Sequence, residues 1–156
     1  MKFGDVIFAV ASIDVVQVMI WYVLGSGLIP SIGSYWGLNS AGIISMLIAA
    51  LVVGYVFAGK IQEESRIRAV GKISVLSAWV IAFYEMISAA ANPYYKDWID
   101  ETIKSMYTTS AWTKTDWYVY GHLALMTYVV LNIVLVLVLT FIGLYVGSML
   151  RKTKKN

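Results

Sequence analysis

The sequence predicts an all-α integral membrane protein: a four-transmembrane-helix bundle, both termini cytoplasmic, with a short amphipathic helix in the long external loop between helices 3 and 4. Three observations carry that prediction. Of 156 residues, 60% are hydrophobic and only 13% charged, a balance that a soluble domain of this size has no core large enough to hide. Apart from Asp14 and Glu85, the charges fall in short clusters between apolar runs, as they do in a chain that crosses a bilayer several times. The clusters also differ in sign: nine basic residues fall on one side of the predicted membrane and three on the other, which puts the richer side in the cytoplasm.

The whole chain, 1–156, reads as a single membrane domain with spans at about 5–25, 38–59, 72–92 and 121–149. Each has the roughly 20 residues that about 30 Å of hydrocarbon requires. Asp5 follows Lys2, and no small-residue cleavage site precedes Gly25, so the first span is expected to be retained rather than removed as a signal peptide. The connection GSGLIPSIGSYWGLNS carries no charge and reads as an interfacial turn anchored by Tyr35 and Trp36. KIQEESRIRAVGK, residues 60–72, and the tail 150–156 are the basic cytoplasmic segments.

The external loop, 93–120, opens at Pro93. Within it DWIDETIKSMY sets Ile99, Ile103 and Met106 on one helical face and most of its charges elsewhere, the spacing of a helix lying on the membrane surface. Trp98, Trp112, Trp117 and Tyr120 belong to an aromatic cap that serves as an interfacial belt or as a surface for a partner.

The packing faces are marked by small residues. Ala50, Gly54 and Ala58 line the second span, Ser74, Ala78 and Ala82 the third, and Gly143 and Gly147 the fourth. Small residues at four-residue steps let helix backbones approach closely. Whether the partner helix belongs to the same chain is left open by the pattern.

Two acids interrupt otherwise apolar spans, where an ionised carboxylate costs at least about 2.5 kcal/mol. Counting about 1.5 Å per residue from the expected boundaries places Asp14 roughly 16 Å deep, Glu85 roughly 18 Å and Asn132 roughly 15 Å from the opposite side. One mid-membrane layer of Asp14, Glu85 and Asn132 is therefore expected, with Gln17 on the stripe of Asp14. His122 sits at the outer boundary as an interfacial side chain or a point of proton entry.

Enzyme classes are excluded more readily than others. There are no cysteines and one histidine, and no phosphate-cradling loop, nucleophile elbow or metalloprotease helix occurs. No catalytic residue, metal or cofactor is expected. Nucleic-acid binding is not expected either, since membrane topology already accounts for the basic segments. Two readings remain. One is a non-catalytic subunit of a larger membrane assembly or homo-oligomer, associating through small-residue seams and the aromatic loop. The other is a small proton- or cation-coupled transporter or channel using Asp14 and Glu85. The partners implied are membrane lipids and copies of itself or other membrane subunits, in the cell (plasma) membrane.

Overall fold

The computed structural model describes residues 1–25, 40–91 and 114–151. They form five helices: α1 Phe3–Gly25, α2 Ser40–Val56, α3 Ala58–Gln62, α4 Arg66–Ala91 and α5 Lys114–Leu150. No strand occurs among the described residues. Within α1, α4 and α5, the stretches Phe3–Val23, Arg66–Tyr84 and Val129–Leu150 are long and apolar enough to cross a membrane, which suggests a membrane protein. α2 is equally apolar but has 17 residues, about 25 Å of helix.

Three boundaries differ from the sequence expectation. The basic segment 60–72 is largely helical: α4 begins at Arg66 behind Ser65, a favoured N-cap residue type, and no Gly or Pro interrupts residues 66–70. α5 starts at Lys114 rather than near 121, so the last part of the predicted loop 93–120 is helical. Its 37 residues would extend about 56 Å, well beyond the hydrocarbon thickness. Finally, α2 ends at Val56, and Phe57 makes a kink before α3. The turn 25–40 falls mostly outside the described residues, and the amphipathic helix near 97–106 falls wholly outside them.

The helices pack around a shared core. α1 contributes Val6, Ala9, Val10 and Ile13, α2 contributes Ala49 and Val53, α4 contributes Val70 and Ile73, and α5 contributes Leu144, all buried. α1 lies against α2 and α4, and both of those lie against α5, the α2 contact being the most extensive. Outward faces stay apolar, with Trp79 and Phe83 each 62% exposed, the opposite of a water-facing surface.

The start of α1, the α3 region and the end of α5 converge on one basic end. Lys60 pairs with Asp5 at 3.8 Å, Gln62 Nε2 donates to the Ser148 carbonyl at 3.4 Å, and Arg66 stands 5.8 Å from the Tyr145 ring centre. Arg151 Nη1 donates to the Val56 carbonyl at 2.9 Å, satisfying an acceptor left open where α2 ends. The Lys2 backbone N–H donates to Asp5 Oδ2 at 3.1 Å, the reciprocal half of a capping box.

Glu64 is held at this end by Lys72 at 2.7 Å and by the Met1 ammonium at 3.3 Å. The Lys72 hydrogen bond, more than any other contact, lowers the Glu64 carboxyl below the usual glutamate range. A carboxyl lowered on folding stabilises the fold above its unfolded value, and that contribution disappears as pH falls through the folded value. Wild type should therefore melt above Glu64→Gln at pH 7, and acidification below the glutamate range should bring the two melting temperatures together. A gap that persists into acid would show that the ion pair is not its source.

Candidate functional site

The small-residue seam brings two helices into close contact. A Cβ built on Gly54 would lie 2.5 Å from the Leu144 carbonyl oxygen, and one on Gly143 would lie 2.6 Å from Ala50 Cβ and 2.8 Å from the Leu47 carbonyl oxygen. At Gly147 the obstacle is the Leu51 carbonyl. The backbones of α2 and α5 thus touch, running parallel, because these positions lack side chains. Ala58, Ser74, Ala78 and Ala82 are also buried inside the chain. The seams that the sequence offered to any partner are occupied from within.

Asp14 lies elsewhere, on α1, where the buried face runs through Val6, Val10 and Ile13. One residue past Ile13 the helix has turned about 100°, so Asp14 sits half-buried at the edge of that face, with Gln17 also half-buried. Neither side chain has a hydrogen-bond or ion-pair partner among the described residues. A carboxylate and an amide three residues apart on one helix are neighbours. Together they offer oxygen acceptors to an ammonium, a guanidinium or a proton.

Helix register separates Asp14 from Asn132. The Phe8 and Phe57 rings are 5.8 Å apart, and with Asp5 beside Lys60 they set α1 antiparallel to α2. Six residues on from Phe8 and six back from Phe57, Asp14 comes level with Leu51, whose backbone lies against Gly143 and Gly147. Asn132 is 11 residues further along α5 from Gly143, about 16 Å away. It is buried at 2% exposure and engaged in a polar contact. The single layer expected from counting residues is therefore divided, because the offset between helices is set by their contacts and not by their ends.

Glu85 belongs to α4, 19 residues past Arg66 at the basic end of that helix, about 28 Å along it. Its side chain, and those of His122, Trp117 and Tyr120 in α5, fall outside the described residues, as do Trp98 and Trp112. Sequence reasoning named Ser45 on a packing seam but passed over Ser77, Thr140 and Ser148, and all four are buried. Thr140 and Ser148 donate to carbonyls of their own helix at 2.6 Å and 2.8 Å, whereas Ser74 Oγ and Ser77 Oγ have no partner among the described residues. Their spacing of three residues was the available signal.

No group of three or more metal-ligating His, Cys, Asp or Glu side chains occurs among the described residues. Comparison with protein-family models, with curated proteins and with solved structures finds no match to this chain.

Proposed function

We propose that the protein is a four-span bundle of the cell membrane, with both termini in the cytoplasm, acting as a non-catalytic subunit of a larger membrane assembly. The observation that carries this reading is Asp14: a half-buried carboxyl in the middle of an apolar helix, without a polar partner among the described residues. In lipid such a group is costly, and a neighbouring chain would supply the cover that the described residues do not. α1 is suited to supply the contact, because Val15, Val18, Met19 and Tyr22 are all more than half exposed. The α2–α5 seam is not, since it is already filled. The basic end supports the orientation, gathering Lys60, Arg66 and Arg151 where the start of α1 and the end of α5 meet, as a cytoplasmic face does.

The transport reading has Asp14 and its polar neighbours act together on one proton or cation, and the register offsets Asp14 and Asn132 by about 16 Å along the helix axis. The deciding experiment is native mass spectrometry after gentle extraction from the protein's own membrane. A complex with different membrane proteins is expected. A monodisperse lone chain would sink the subunit reading, and proton or cation flux from that species in liposomes would establish the alternative.

A further inference from the structure

We infer that the outer flank of α1 docks a transmembrane helix of a different protein carrying a lysine or arginine level with Asp14; this rests on the subunit reading above. Ile7, Ala11, Asp14, Val18 and Trp21 follow one another at alternating steps of four and three residues, the spacing that keeps one seam facing a packed helix in a left-handed supercoil. That flank is open: Ile7 is 48%, Val18 64% and Trp21 46% exposed. Asp14 is the seam's central position and its one charged residue. A single polar group at such a position selects register and partner, because every misaligned pairing leaves it buried against hydrocarbon.

Charge complementarity selects the occupant. A second copy brought up to the same seam about a two-fold axis would set carboxylate against carboxylate in a low-dielectric layer, which disfavours ionisation of both. Nor does the α1 of a second copy bring a base to that seam, since within it there is no lysine, arginine or histidine. A partner's ammonium or guanidinium neutralises Asp14, and its remaining N–H groups find the Gln17 carbonyl oxygen one turn along.

The test places a photoreactive benzophenone side chain at Val18 in the full-length protein and irradiates it in its own membrane, with native mass spectrometry of the same extract in parallel. The expected adduct is an apolar segment of another protein with Lys or Arg within one turn of the crosslink. Adduct yield should fall at least tenfold in Asp14→Asn and be retained in Asp14→Glu, with both variants melting like wild type as lone chains. An adduct to a second copy, or to a helix without a basic residue, overturns the inference. A persistent hetero-complex with no α1 adduct overturns it while leaving the subunit reading intact. Absence of any partner in both measurements removes the two together.

Discussion

Gly147→Leu should unfold the chain or lower its stability by at least about 3 kcal/mol, the upper range for overpacking a close contact. The reason lies in what the new side chain meets. At Gly147 a first carbon already runs into the Leu51 carbonyl, and the Tyr55 nitrogen stands 3.0 Å away. Both obstacles are backbone, so no rotamer change relieves them. α2 and α5 must separate, and with them the most extensive helix contact in the fold. Gly71→Ala is the matched control. It lies within α4, nothing stands within 4 Å of its added carbon, and replacing a helical glycine by alanine gains about 0.5–1 kcal/mol from the unfolded chain's lost freedom. Thermal unfolding in one detergent compares the two. Equal melting temperatures for both variants would mean that the α2–α5 approach is not as close as described.

The seam and three of the four expected spans were legible before the fold was known, because both depend on side-chain size and polarity repeated at helical spacing. Gly143, Gly147, Ala50 and Gly54 could be named as a packing face, though not which helix would fill it. Helix ends were less legible. Charge clusters were read as loops, yet Arg66, Arg68 and Lys72 carry long side chains that extend from a helix as readily as from a turn, and Lys is among the good helix formers. Least legible was the axial offset between helices. Asp14 and Asn132 count to similar depths from their own expected boundaries, but the Phe8–Phe57 and Leu51–Gly147 contacts slide them past one another. Such contacts join residues far apart in the chain, and no local pattern announces them.

Adjacent residues on α1 should give opposite results. Ile13 is fully buried on the face that meets α2 and α4, so Ile13→Ala removes packed methyl groups and leaves a cavity, at a cost of about 2–4 kcal/mol. Asp14, one residue and about 100° of helical turn away, touches no polar partner among the described residues. Asp14→Leu therefore breaks no polar contact among the described residues and relieves the burial of a carboxyl. The isolated protein should melt at the wild-type temperature or above it. In the native membrane the order reverses, because Asp14→Leu takes away the group that selects the neighbour, while Ile13→Ala leaves the outer flank chemically unchanged. Measuring melting temperature and co-purification for both variants separates the two faces of one helix. If Asp14→Leu destabilised the lone chain as much as Ile13→Ala, the carboxyl would be bonded within its own bundle, and no neighbouring subunit would be needed to account for it.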